Sequence, residues 1–314
     1  MQIEKAVVYF LEALESEQLS KHSIRAYGQD LKQFINWTSK TDLNELGFED
    51  FQDYFISIKT LKVTTIKRKR VVLHRFMKYC YRKQLCTEKL YEYIDPIKNK
   101  KTVLPKEVLT KEEIVHLFGY LDEEVKRLEV KKDQSYYHYL YYCAIRNRLL
   151  ISLLLYTGCR AHEAVALKKQ DINLVGQTIL LFTKGAKYNQ IPIHEDLLAA
   201  FTLYDEALQT LNPDLIKNLD ESIYLFPSKN DISTYLSTRT LHDLMNKLSQ
   251  VMGRHIHAHL FRHTFASYCI ASNMDISTIS SLISHSNPSI TLSIYTHEID
   301  AHNKQEQIKK LSFQ

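Results

Sequence analysis

At 314 residues and 36.9 kDa the chain is long enough for two domains of ordinary size. With 45% hydrophobic and 25% charged residues it can bury a real core, and no run approaches the roughly 18 apolar residues of a membrane span. Seven glycines and six prolines are too few for a sandwich or barrel with many tight turns, so a mainly α chain is expected.

In chain order, residues 4–18 carry Val7, Val8, Phe10, Leu11 and Leu14 at helical spacing and read as an amphipathic helix. Ser23 reads as the N-cap of a second helix with Ile24, Tyr27, Leu31, Phe34 and Ile35 along one face. A third helix is expected over about 48–58. A fourth runs from Thr64 or Thr65 to about Lys83, with Ile66, Leu73, Phe76 and Tyr79 inside. These elements make an all-α domain over 1–97. The segment 98–109, part of DPIKNKKTVLPKEVLT, has a charge run and a proline and reads as a linker. Thr110 to Glu113 then form a capping box opening the next helix. A charged stretch (122–134) and a tyrosine-rich stretch (136–142) precede an apolar helix at about 145–156. Residues 177–183 and 188–193 flank KGAK as a small hairpin, and the pattern after 197 is again helical.

The five cysteines (Cys80, Cys86, Cys143, Cys159, Cys269) are odd in number with no CxxC pair. This excludes a disulfide framework and a cysteine zinc site and fits a reducing, cytoplasmic setting. The N-terminal residues are acidic where a secretory signal would continue apolar. The net charge of +5 is unevenly spread, for residues 59–101 hold 14 basic and three acidic side chains. Its densest piece is Lys67, Arg68, Lys69 and Arg70, followed by Arg75, a density that suits a phosphate backbone. A solvated helix face is the ordinary alternative.

Three patterns in the second half carry chemistry. In YTGCRAHEAVALKKQDI, Arg160 and Glu163 stand three apart at the start of a helix, on one face. In HLFRHTFA, His259 and Arg262 do the same. ISHSNPSITLSIYTHE supplies His285 and Tyr295. Singly each has an ordinary reading as an internal ion pair, a satisfied histidine or a core tyrosine.

Together they resemble the tyrosine recombinase/integrase family, with Xer-like members nearest in size. The TG-x-R-x-x-E box stands at Thr157 to Glu163, and a hairpin lysine stands at Lys184, 24 residues after Arg160. The H-x-L-R-H-T-F-A box runs from His259 to Ala266, with Phe261 for Leu. The last box is Ile283-Ser284-His285-Ser286 with Tyr295-Thr296-His297, where Ile-Ser replaces Leu-Gly. LSKHSIRAYGQDLKQF resembles the family's core-binding domain. The resemblance implies a mainly α fold. An N-terminal all-α, SAM-like domain would be followed by a mostly helical catalytic domain with a small β-hairpin or sheet (110–300) and a tail (301–314) for protomer docking. It also implies a double-stranded DNA recombination site as substrate, a homotetramer on DNA, an accessory or partner recombinase, and no cofactor or membrane.

The implied reaction is attack of the Tyr295 hydroxyl on a DNA phosphodiester, giving a 3′-phosphotyrosine and a free 5′-hydroxyl that can attack again and rejoin strands. Arg160 and Arg262 would clamp the non-bridging oxygens in planar forks that lysine cannot reproduce. His285 would add a donor, His259 would take the phenol proton, and Lys184 would protonate the leaving oxygen. Glu163 would orient its neighbours. Nothing in this chemistry calls for a metal, although RHIHAHLFRH groups four histidines. Two other readings compete: a catalytically silent DNA-binding relative that kept the fold but lost the chemistry, and a type IB topoisomerase, which shares the nucleophile chemistry.

Overall fold

Scarce glycine and proline leave few stops, and helices cover most of the chain. The computed structural model describes residues 1–95, 107–131, 135–183, 187–285, 287–292 and 294–295. The chain divides between residues 101 and 102 into two compact units.

The first unit is all helical: α1 (Ile3–Ser16), α2 (Lys21–Trp37), α3 (Phe48–Ser57) and α4 (Val63–Arg82), with short 3₁₀ turns at Leu43–Glu45 and Leu90–Tyr93. Its centre is aromatic. Phe34 stacks on Phe51 at 5.8 Å and meets Tyr54 edge-on at 5.1 Å, while Phe10 and Phe76 lie 5.5 Å apart. Each such ring contributes roughly 1.5–3 kcal/mol by leaving water. The cap of α2 is Ser20 rather than Ser23: its extended backbone starts the helix and its hydroxyl accepts from the Ser23 N–H at 3.2 Å.

In the second unit, α5 (Lys111–Glu129) opens on the expected box, with the Thr110 hydroxyl accepting from Glu113 N and Glu113 accepting from Thr110 N. It runs through much of the charged stretch, which contains no breaker. The next helix, α6 (Ser135–Thr157), absorbs the tyrosine-rich stretch and starts well before the expected 145, with Tyr141 and Tyr142 buried. Leu149, Leu150, Ile151, Leu153 and Leu154 are all buried, so the C-terminal half of α6 takes the middle of the unit, and the helix packs against α5.

After the short α7 (Ala161–Val165) come β1 (Ile172–Asn173), β2 (Thr178–Thr183) and β3 (Lys187–Pro192), an antiparallel sheet in the order β1-β2-β3. Phe182 pairs with Tyr188 and Thr183 with Lys187. The rest is helical: α8 (Glu195–Leu208), α9 (Pro213–Glu221), α10 (Thr238–Met252), α11 (Ala258–Ala271) and α12 (Ile276–Leu282). Both α8 and α11 pack on α6. Of the expected linker, 98–106 lies outside the described residues. Leu109 is buried in the second core and its N–H donates to Thr264 Oγ1 at 2.9 Å, so the last residues of that segment belong to the second unit.

Candidate active site

Helix α6 ends at a glycine for a steric reason. Gly158 has φ +60°, and a Cβ there would lie 2.6 Å from Phe265 Cδ1 and 3.2 Å from Ile283 Cγ2. The chain then enters α7 with Arg160 as its N-cap residue. Glu163 binds Arg160 twice, accepting from its backbone N–H at 2.8 Å and from its guanidinium at 2.8 Å. Glu163 is buried, while the Arg160 side chain is 35% exposed. The third contact of Arg160 is a donation to the Ser284 carbonyl at 3.1 Å.

The end of α12 supplies that carbonyl. Ser284 has φ 54°, its N–H donates to Ser281 O at 3.0 Å, and His285 N–H donates to Ser280 O at 2.9 Å. This is a Schellman closure, whose left-handed residue is ordinarily glycine. It accounts for the glycine of the family box and for where the serine stands here. Asn189 of β3 donates to the Ser284 hydroxyl at 2.8 Å and to Ser281 O at 2.8 Å, tying the hairpin to this corner.

Helix α11 brings the second arginine. Arg262 is 4% exposed and donates to Gly158 O at 2.9 Å and to Ile283 O. Both acceptors lie where a helix terminates, at the negative end of its dipole. The two guanidinium groups are thus fixed against the same corner by carbonyls, and of five N–H donors each these contacts use only part. Burial first, and Arg160 second, pull the Arg262 pKa down to about 10; it stays a cation at neutral pH. Two cations that feel each other in this way, one of them buried, favour an anion beside them.

The histidines respond to the same charges. Burial, Arg262 and Arg160 hold His259 below the usual imidazole range. The same causes, with His263 added, bring His285 down to about 4. Both are neutral at pH 7. The His285 Nδ1 lies 2.7 Å from the hydroxyl of Thr291, which is wholly buried.

Tyr295 is 1% exposed and its ring sits among Ala266, Cys269, Ile270, Ile279 and Ile283. Its hydroxyl is 2.7 Å from Nδ1 of His263. Arg160, Glu163, His259, Arg262, His285 and Tyr295 are therefore brought together. Lys184 lies outside the described residues, as does the tail 301–314. Among the described residues, no group of three His, Cys, Asp or Glu side chains is placed to hold a metal ion. Nor, among the same residues, is any helix long and apolar enough to cross a membrane.

The basic run on α4 departs from its expected solvent face. Lys69 is buried with Asp30, their side chains 3% and 2% exposed and the ions 2.9 Å apart, and Lys69 also donates to Gln33. Position 69 lies on the same stripe as Val72, Leu73, Phe76 and Cys80, so the helical period turns it inward. It is corrected from a DNA contact to an internal ion pair. Arg68 also bonds Asp30, and Arg75 bonds Glu17, though both keep exposed surface. Arg70 lies 4.0 Å over the Phe55 ring and donates to Asp95 O at 2.9 Å.

Sequence reasoning missed His263, Thr291 and Ser284 as parts of the site. For His263 the signal was present: it stands four residues after His259, one turn along the same face of α11.

Residues 108–302 match the phage integrase family, and residues 7–84 match its N-terminal SAM-like domain. The chain belongs to the phage integrase family and is a site-specific tyrosine recombinase. It is 28% identical to the tyrosine recombinase XerC of Staphylococcus saprophyticus, covering 98% of this chain and 95% of that one. XerH bound to a palindromic difH substrate, in a post-cleavage complex, shares the fold with a TM-score of 0.67 at 18% identity, covering 92% of this chain and 80% of that one. A lambda integrase dimer on a COC′ core site does so with a TM-score of 0.67 at 15% identity, covering 92% and 97%.

Proposed function

We propose that the chain cuts and rejoins a specific double-stranded DNA site through a 3′-phosphotyrosine at Tyr295, in an Xer-like resolution of DNA dimers. The observation that carries this is the convergence of Arg160, Arg262, His285 and Tyr295 on one corner of the second unit. The arginines clamp the non-bridging oxygens of the scissile phosphate, each worth about 3–4 kcal/mol in the barrier. The hydrogen bond between the Thr291 hydroxyl and His285 Nδ1 fixes the imidazole ring, and its Nε2 donates to the same phosphate. Lys184 protonates the departing 5′-oxygen, and Glu163 holds Arg160 in place. Because the phosphotyrosine retains the ester, rejoining needs no nucleotide cofactor.

Exchange between two duplexes uses four tyrosines, so the working form is a homotetramer on DNA in the cytoplasm. The tail 301–314 docks on a neighbouring protomer, with an accessory or partner recombinase joining where two half-sites differ. Of the basic side chains of α4, Lys67, Arg68, Arg70 and Arg75, but not Lys69, contribute phosphate contacts.

The test mixes the protein and a Tyr295→Phe variant with nicked, labelled fragments of its source genome and looks for adducts that survive denaturing gels. Adducts with the parent alone support the reading, and sequencing the trapped DNA identifies the site. Adducts with both overturn the choice of tyrosine. Binding without adducts favours the silent DNA-binding reading, and relaxation of any plasmid irrespective of sequence favours a topoisomerase. A trapped site at the ends of a mobile element would replace dimer resolution by integration.

A further inference from the structure

Three histidines surround the phosphate corner, and the structure divides them. His259 sits against Arg160 and Arg262 and feels both charges. His285 feels the same two and has its Nδ1 occupied by Thr291. Only His263 is placed against the nucleophile itself among the hydrogen bonds described, with Nδ1 2.7 Å from the Tyr295 hydroxyl and ring centroids 5.8 Å apart at 66°. A phenol has one proton to give, and 2.7 Å is an ordinary O–H···N separation.

We propose that His263, rather than His259, is the general base that takes the Tyr295 proton. The inference rests on the functional reading above. In the step, the Tyr295 Oη–H bond breaks and its proton passes to Nδ1 while Oη bonds to phosphorus. The bond from phosphorus to the 5′-oxygen breaks, and that oxygen receives a proton from Lys184. Rejoining reverses each transfer, so His263 returns the proton to Oη. The role requires a neutral imidazole carrying its own hydrogen on Nε2. Charged and titratable groups around the pair come from several elements. Arg262 and His259 lie on the same helix, Arg160 and Glu163 on α7, and His285 after α12. The Arg262 charge is felt at Tyr295 and favours the phenolate as it forms.

His259 thereby becomes a donor to the phosphate, beside the arginines, which is where its position puts it. Helical geometry makes the division possible: residues 259, 262, 263 and 266 share one face of α11, so a single helix presents donor, clamp and base in successive turns.

The experiment measures single-turnover formation of the covalent adduct by the full chain between pH 6 and 10. The probe is a nicked duplex carrying the trapped site. His263→Gln keeps a polar group of similar length that cannot accept the proton. It is expected to slow cleavage at pH 7 by about 10²–10³-fold, within the range of general-base catalysis. The deficit should shrink steadily as pH rises, because hydroxide then makes the phenolate without help. A second substrate, with sulfur bridging at the 5′ position, needs no acid to leave. It should rescue Lys184→Ala and fail to rescue His263→Gln.

Cleavage by His263→Gln within about threefold of the parent overturns the proposal, as does a deficit of constant size at every pH, which a structural role would give. Gel-shift affinity and melting temperature separate a folding defect in His263→Ala from loss of the base. A parent that binds DNA and forms no adduct overturns the functional reading instead. The contact is then read without DNA from the ¹⁵N shift of His263 Nδ1. Tyr295→Phe should move that shift, and an unmoved shift overturns the proposal.

Discussion

Lys69 distinguishes an internal ion pair from a DNA contact. The ammonium and the Asp30 carboxylate are 2.9 Å apart with side chains 3% and 2% exposed, and Arg68 supplies Asp30 with a second partner. Asp30→Ala strands the lysine without its counter-ion, and breaking a buried pair from one side costs about 3–5 kcal/mol. Lys69→Met keeps the aliphatic stem and leaves Asp30 paired with Arg68, so its cost should stay below about 2 kcal/mol. The single tryptophan, Trp37, lies in the same unit, 5.3 Å from Tyr54 and 6.4 Å from Phe34. Urea unfolding followed by its fluorescence therefore reports on this unit. DNA binding supplies the second arm. A lysine on a phosphate contributes about 0.9 to the slope of log K against log salt. The parent and Lys69→Met should give the same slope. A slope lower by about one in Lys69→Met, with an unchanged urea midpoint, would refute the internal assignment.

Three further outcomes follow from the second unit. Gly158→Ala must hold a left-handed backbone and push Phe265 aside, costing about 2–4 kcal/mol and displacing the carbonyl that Arg262 uses; melting and adduct yield should fall together. Thr291→Val keeps the shape but leaves His285 Nδ1 unpaired at a cost of about 1–3 kcal/mol, so adduct formation should slow by roughly tenfold or more with DNA affinity retained. His285 titrates near 4 when folded and near 6.5 when unfolded, so the unfolded chain binds more protons between those values and stability falls as pH drops through that window. Discounted for its partial exposure, the loss is about 1–2 kcal/mol between pH 7 and 4, and His285→Gln should flatten the denaturation midpoint over that range.

The sequence by itself determined the helical class, the division into two units and the order of the boxes. These are properties of short-range pattern: few breakers, apolar positions at helical spacing, and a capping box at Thr110 that needs only its own three neighbours. It also carried the pairing of Arg160 with Glu163, because residues three apart at a helix start share a face. Helix starts were less legible where the deciding term was not local. Ser23 and Ser20 offer the same hydroxyl, and α6 extends over tyrosines whose burial depends on helices far along the chain.

Only the tertiary structure decided what each polar group faces. The basic run on α4 is continuous in sequence, yet the helical period sends Lys69 to a carboxylate on α2 and leaves Arg68 beside it partly in water. Arg262 owes its position to carbonyls at Gly158 and Ile283, 104 and 21 residues away. The partner of His263 likewise comes from the segment after α12, 32 residues distant. Periodicity names the face a side chain occupies, but the partner on the other side of that face is a long-range contact, formed only when the helices pack.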